Sequence, residues 1–328
     1  MERNRKSKTM KKYMLMAAMA IMGLSSCGQT QPQPSEGSRT DFALSFFKAV
    51  SSSAKPGENV VASPYSAGVA LSMLTEGAAG QTKVELDNAL NGCLFMPEPM
   101  GDSEAVTVKS ANSIWVSDNF SVRNRFVAHM EDDFKADVEV MDFADPATLQ
   151  SMNRWCADNT DGKITKIKDS LSPNNVMILA NALYFNAPWQ KELDPEGTAP
   201  ATFKGVSDDK EVQMMYSRDM YEYAEYQGCQ LIRLPYEGGR YAMTVVLPPS
   251  GWGIDSILPY VTGTTYKGAM QMLSKQEVVF KMPKFKLETS LVLDKALKKM
   301  GIYTAYTPAA DFKGISAMGP LQLGTVKQ

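Results

Sequence analysis

Residues Pro64 to Ala78 read as a helix without a polar side, because Ala, Leu, Met and Val recur around most of its circumference. A surface helix carries a single apolar stripe, so a helix of this kind must be buried on several sides by other layers of the chain. Ser63-Pro64 suits its start: the serine hydroxyl accepts from an orphan N–H, and proline at the first turn has no bond to lose. A short strand, Val60 to Ala62, leads into it, and Gly80 ends it. Thr82-Lys83-Val84-Glu85 matches a capping box and opens another helix towards Leu90. Upstream, Arg39 to Ser53 places Phe42, Phe46, Ala49 and Val50 on one face, as an amphipathic opening helix does.

The layers around it are of mixed type. Val106 to Val116 reads as a strand, and Val122 to Phe134 and Pro146 to Asn159 read as helices. Val176 to Asn186 is a nearly continuous apolar run, the pattern of a central strand covered on both faces. From Glu211 the pattern turns to β, with Gln230 to Tyr236 and Tyr241 to Leu247 joined by the hairpin connection Glu237-Gly238-Gly239-Arg240. Thr262 to Ser274 returns to helix, Glu277 to Phe285 is extended, and Thr289 to Met300 is a helix stopped by Gly301. Helices and antiparallel hairpins in this order predict an α+β fold, not a regular βαβ winding.

The first residues read as a targeting segment. Arg3, Arg5, Lys6, Lys8, Lys11 and Lys12 precede an apolar run from Tyr13 to Leu24, too short to span a bilayer comfortably. The run ends in Leu24-Ser25-Ser26-Cys27, which resembles the lipobox cut by bacterial signal peptidase before a cysteine that carries lipid. An ordinary secretory signal with an incidental cysteine is the alternative. The division expected is a signal peptide over 1–26, an acylated Cys27 with a flexible tether over 27–38, and a folded domain over 39–328. Gly28 to Ser38, rich in Gln, Pro and Ser, has too little apolar area to bury and fits the tether. Such a protein is held in the bacterial cell envelope, outside the cytoplasm, by lipid on Cys27, with the outer membrane the expected site.

Composition narrows function mainly by exclusion. With 34 basic against 36 acidic residues, the chain has no electrostatic footprint for nucleic acid. Cys93, Cys156 and Cys229 are odd in number and widely spaced, which fits neither a disulfide framework nor a zinc site; buried free thiols are expected, and no metal or cofactor. The chain's one histidine, His129, has no neighbouring nucleophile motif and reads as a solvated surface residue. No G-x-S-x-G elbow, H-E-x-x-H helix, phosphate loop or dinucleotide fingerprint occurs. Asp132/Asp133 and Asp208/Asp209 are adjacent residues whose side chains diverge, so they read as solvated charges and not as a catalytic pair. An enzyme is not expected.

One pattern is specific. Asn59-Val-Val-Ala-Ser-Pro-Tyr-Ser66, Ala70-Leu71-Ser72-Met73-Leu74, and Gly77-Ala78-Ala79-Gly80-Gln81-Thr82 with Glu85-Leu86 resemble the serpin segment that runs from a buried strand into the second and third helices. Further blocks keep the serpin order: Asn112-Ser113-Ile114-Trp115-Val116; Trp155 with Asn159-Thr160 and Gly162-Lys163-Ile164; Asn181 to Asn186 with Trp189. Then come Pro235-Tyr236, Met243, Leu247-Pro248, Met282-Pro283-Lys284-Phe285, Leu297, Gly301-Ile302 and Ala310-Asp311-Phe312 with Gly314-Ile315-Ser316.

The resemblance implies three β-sheets and about eight or nine helices, with the large sheet held one strand short. It implies a monomeric inhibitor of serine, or cysteine, proteases that acts once: a protease cuts an exposed loop, and the loop inserts as a new strand while the protease is still acylated. By resemblance, Ser63, Ser66 and Asn181 match the shutter beneath that sheet, and Trp189 and Lys284 match the breach where the loop first enters. Leu321 to Gln328 matches the beginning of another sheet strand. The parts expected beyond it are a further shutter histidine, an acidic partner for Lys284, the hinge, the reactive bond and the last strands. The chain as written is therefore expected to be inactive as an inhibitor. The alternative reading is a non-inhibitory serpin-like binding lipoprotein or the product of a truncated pseudogene.

Overall fold

The computed structural model describes residues 17–19, 36–55, 57–97, 106–172, 174–205 and 208–328. In chain order the elements are β1 (Ala17–Met19), α1 (Glu36–Ser51), α2 (Pro64–Gly77), α3 (Gly80–Ala89), β2 (Thr107–Ser117), α4 (Asn124–Asp132), β3 (Ala136–Met141), α5 (Pro146–Asn159) and β4 (Met177–Asn186). They continue with β5 (Ala199–Lys204), β6 (Asp209–Tyr226), β7 (Cys229–Pro235), β8 (Ala242–Leu247), α6 (Ile254–Ile257), α7 (Gly263–Gln271), β9 (Ser274–Pro283) and α8 (Asp294–Lys299).

Helix α2 is as enclosed as its sequence requires, with Val69, Leu71, Met73 and Leu74 all buried. Around it lie Phe42 and Phe46 of α1, Leu86 of α3, Ile114 and Val116 of β2, Phe126 and Met130 of α4, and Leu297, Phe312 and Ile315 from the far end of the chain. Each such side chain taken fully out of water contributes about 1.5–3 kcal/mol, so this cluster is the main reservoir of stability.

One face of the cluster is roofed by a three-stranded sheet in the order β3-β2-β4, with β2 parallel to β3 and antiparallel to β4. On its other face the sheet carries α5, anchored by Trp115, Phe143, Met152 and Ala180, with Trp155 edge-on to Trp115 at 5.3 Å. The second sheet runs β1-β8-β7-β6-β5, with β9 also on β6. Three sheets were expected; among the described residues the ladders form two. The 18-residue β6 continues without a break from its pairing with β5 and β9 to its pairing with β7, so the two smaller sheets are one.

Several local expectations are corrected. Val60 to Ala62 forms no strand. Helix α2 ends at Gly77, and Gly80, at φ +54°, begins α3 instead of closing α2. Thr82 and Glu85 make no capping box: Thr82 Oγ1 accepts from Asp311 N, and Glu85 accepts from Tyr303 N, Thr304 N and Thr304 Oγ1. Donors remote in sequence claim those groups. The helix expected over Thr289 to Met300 is confined to Asp294–Lys299, because Leu291 N and Leu293 N donate instead to Gln328 O and Val326 O. Gly301 does follow it at φ +96°, as a left-handed stop requires. Finally, β4 is not central: among the described residues it has a strand on one side only.

The signal peptide and tether assigned to 1–38 lie largely outside the described residues, and so does Cys27. Of that stretch, Ala17–Met19 forms β1, antiparallel to β8, and Glu36 onwards belongs to α1.

Candidate functional site

Ser63 stands at the N-cap of α2, where its Oγ accepts from Ser66 N at 3.2 Å and donates to Ser66 Oγ at 3.0 Å. Capping and a side-chain link are thus made by one hydroxyl. Gln328 completes this corner. Its Oε1 accepts from Ser63 N and its Nε2 donates to Ser63 O, both at 2.8 Å. Sequence reasoning placed the further shutter group beyond Gln328; the described chain already brings an amide to Ser63. Only the residue type hinted at this, since a glutamine carries a donor and an acceptor that match one residue's N–H and C=O.

Asn181 lies apart from that pair in its hydrogen bonding. It sits on β4 directly opposite Asn112 of β2, and its Nδ2 donates to Asn112 Oδ1 at 2.9 Å, with longer approaches to Ser110 Oγ and Ala111 O. Its Oδ1 is buried and has no partner, which costs about 1–3 kcal/mol. Asn112, only 2 % exposed, donates in turn to Phe134 O at 2.8 Å.

Among the described residues β4 pairs only with β2. Met177 and Leu179 of β4 and Leu321, Leu323 and Val326 of the last segment all pack on the α2 core. No backbone hydrogen bond joins β4 to that segment among the described residues; the segment bonds to residues 291–293 and to Ala305. The two segments therefore share one core without a ladder between them. Burial and then the Lys327 charge lower the pKa of Lys168 in the stretch after α5.

Trp189 and Lys284 belong to the second sheet. Trp189 stacks on Tyr236 at 4.4 Å and 11° and packs against the cluster of Tyr221, Ile232, Met243, Phe280 and Met282. Lys284 follows β9, where its N–H donates to Gln213 O at 2.8 Å and its side chain is exposed. Its ammonium has no ion-pair partner among the described residues. The structure thus joins Ser63 and Ser66 directly, puts Asn181 in a separate amide pair, and packs Trp189 on the second sheet's apolar cluster, with Lys284 exposed just past β9.

The remaining chemistry-bearing groups are satisfied locally. His129 is not freely solvated: its ring lies between Asp133 at 2.5 Å and Glu76 at 3.0 Å, edge-on to Phe134. Cys93 and Cys156 are buried and Cys229 is half-buried, and burial pushes the Cys156 and Cys229 thiols up, away from reactive thiolate. Among the described residues no three His, Cys, Asp or Glu side chains are placed to hold a metal ion, and no helix is long and apolar enough to cross a membrane.

Comparison with known proteins agrees with the pattern read from the sequence. The family model "Serpin (serine protease inhibitor)" matches residues 37–328. An uncharacterized serpin-like protein of Methanosarcina acetivorans is 30 % identical over 84 % of this chain and 69 % of its own length. Serine protease inhibitor 42Dd of Drosophila melanogaster is 30 % identical over 79 % of this chain and 73 % of its own. The native state of the thermophilic serpin tengpin superposes with a TM-score of 0.83 at 26 % identity, covering 95 % of this chain and 84 % of that one. With this match over almost the whole described domain, the chain belongs to the serpin family.

Proposed function

We propose that, in a polypeptide continuing past Gln328 through an exposed loop, this fold inhibits a serine or cysteine protease by a single suicide turnover. The protease nucleophile attacks the scissile carbonyl of the loop, the acyl bond forms and the amine side of the peptide leaves. The loop then adds to β4 as a strand, gaining ladder hydrogen bonds and apolar burial, and carries the acylated protease with it. Ser63, Ser66 and Asn181 govern whether the sheet opens, and Trp189 and Lys284 flank the point of entry. The observation that supports the reading is the serpin match over residues 37–328, together with relatives named as serine protease inhibitors.

We also propose that the protein sits at the cell envelope, attached by lipid on Cys27, with 28–35 as a tether ahead of α1. Mass spectrometry of the mature N-terminus tests that part: an acylated Cys27 is expected, and a soluble product with a different first residue sinks it. Inhibition is tested by incubating the loop-bearing protein with a panel of serine and cysteine proteases and running denaturing gels. An SDS-stable band at the summed mass, absent with catalytically dead protease, is the expected result. Cleavage of the loop by every protease, without a covalent complex and without a gain in thermal stability, establishes the non-inhibitory alternative instead.

A further inference from the structure

We infer that the short helical run around α6 rests on the surface of a lipid bilayer through Trp252 and Tyr260 and so turns one face of the domain to the membrane. The inference rests on the proposed lipid attachment at Cys27 for the membrane it meets. Trp252 precedes the run and Tyr260 ends it, in the 3₁₀ turn Leu258–Tyr260 that continues α6. The two rings are 53 % and 64 % exposed. From Pro248 to Tyr266 only Asp255 is charged, against 21 % of the whole chain. Such a surface suits the headgroup level of a bilayer, where Trp and Tyr turn an apolar ring inward and keep an N–H or O–H in contact with water.

The run is fixed to the helix at which the tether arrives. Lys48 Nζ of α1 donates to Pro259 O at 3.2 Å, and Asp41 Oδ1 of α1 accepts from Gly263 N, the first residue of α7, at 3.0 Å. A Cβ on Gly263 would lie 2.0 Å from that oxygen, so glycine is what permits the approach. Leu258 is buried under the run, and Thr262 follows it with a capping box to Thr265. The aromatic pair therefore moves with α1. Lys48 is twelve residues past Glu36, about 18 Å along the helix, and residues 28–35 span at most about 29 Å. The tether is long enough to let the run touch the bilayer and short enough to hold it close, so a contact too weak to form from free solution is made at high local concentration. Without the contact the domain would pivot on its tether; with it, the domain has a fixed orientation.

The test reconstitutes the acylated chain in vesicles of phosphatidylethanolamine and phosphatidylglycerol, with and without bromine on the acyl chains, and reads tryptophan emission. Brominated lipid should quench a component that disappears in Trp252→Phe. Tyr260→Ser keeps that reporter and should reduce its quenching about twofold. Tyr303→Ser removes a comparably exposed ring, at 57 %, whose backbone N–H bonds Glu85 of α3, and should leave the quenching unchanged. The component should also survive in about 1 M salt, where charge attraction is screened beyond about 3 Å. Absence of a quenched component, its persistence in Trp252→Phe, its loss in salt, or equal losses in the two tyrosine variants overturns the inference. Failure of the purified chain to float with the vesicles refutes the lipid attachment instead. The aromatic contact is then decided with a histidine tag ahead of residue 28 and nickel-chelating lipid in the same vesicles: the same component should be quenched, and its absence overturns the contact.

Discussion

The two ends of α2 are held in opposite ways. At the C-terminal end the backbone of 303–316 is stitched to three helices: Gly314 N to Gly77 O, Ala79 N to Asp311 O, and Arg123 N to Ile315 O, with Arg123 Nε donating to Lys313 O and Ser316 Oγ to Ser121 O. Glu85 receives three donors from Tyr303 and Thr304. At the N-terminal end, Ser63 and Ser66 bond to each other and Ser63 alone to a remote residue, Gln328, while β4 has a strand on one side only among the described residues and carries an unpartnered acceptor. One end is an anchor with its polar groups answered; the other retains unmade bonds. Under the proposed insertion reading the sheet needs both, because mechanical work at one end requires a fixed point at the other.

The sharpest way to break this contrast is to attack the anchor. A Cβ on Gly77 would lie 2.2 Å from Ile315 Cγ1, in a core with no room to yield. Gly77→Ala should therefore destabilise by about 2–3 kcal/mol, read as a fall in the denaturation midpoint. A neutral result would mean that the 303–316 stitching gives way easily and is no anchor.

Next in size is Glu85. Burial pushes its carboxyl up, but the bonds from Thr304, Tyr303 and Gln81 outweigh that and hold it at about 2, below its ordinary 4.5. A folded value below the unfolded one means that the unfolded chain binds more protons in this range, so the contribution is complete above about pH 4.5 and is lost as pH falls towards 2. Allowing for solvent screening, Glu85→Gln should cost about 1–2 kcal/mol at pH 7 and only about a quarter of that near pH 2.5. Parallel unfolding curves at the two pH values check this; a pH-independent difference removes charge from the explanation.

At the open end the effects on stability shrink. Asn181→Ala deletes a bond to Asn112 and also the unpartnered oxygen, so the net change should stay below about 1 kcal/mol. Amide exchange in the same experiment should show slow exchange for α2 and fast exchange for the β4 N–H groups that point away from β2. The smallest effect is Lys284→Ala, within about 0.5 kcal/mol, as for an exposed cation without a partner. A large loss there would reveal a structural role for Lys284 and erase the distinction between the ends.

The elements built on long apolar periodicity were legible in the sequence. Helix α2, the strands β2, β7 and β8 and helix α5 fall within a few residues of expectation, because burial alone fixes them. The matched blocks also named the family and its α+β fold, since each local pattern occurred in the right order. Local polar motifs were misleading where a remote segment offered a better partner. The Thr82 and Glu85 side chains had the spacing of a capping box and were taken instead by Asp311, Tyr303 and Thr304.

What the sequence by itself determined is which segments are apolar, on which faces, and in which family order. Tertiary structure alone decided where bonds are left unmade. The apolar run of β4 looked like a central strand, yet it lies at the edge of its sheet, and only the positions of its neighbours make that so. Gln328 reaches Ser63 across 265 residues, and Asn181 turns towards Asn112 and not towards Ser66. The physical reason is range: hydrophobic burial is additive along a segment and can be read from its own residues, whereas a hydrogen bond is made or withheld by the one group that comes within about 3 Å, and chain folding chooses that group.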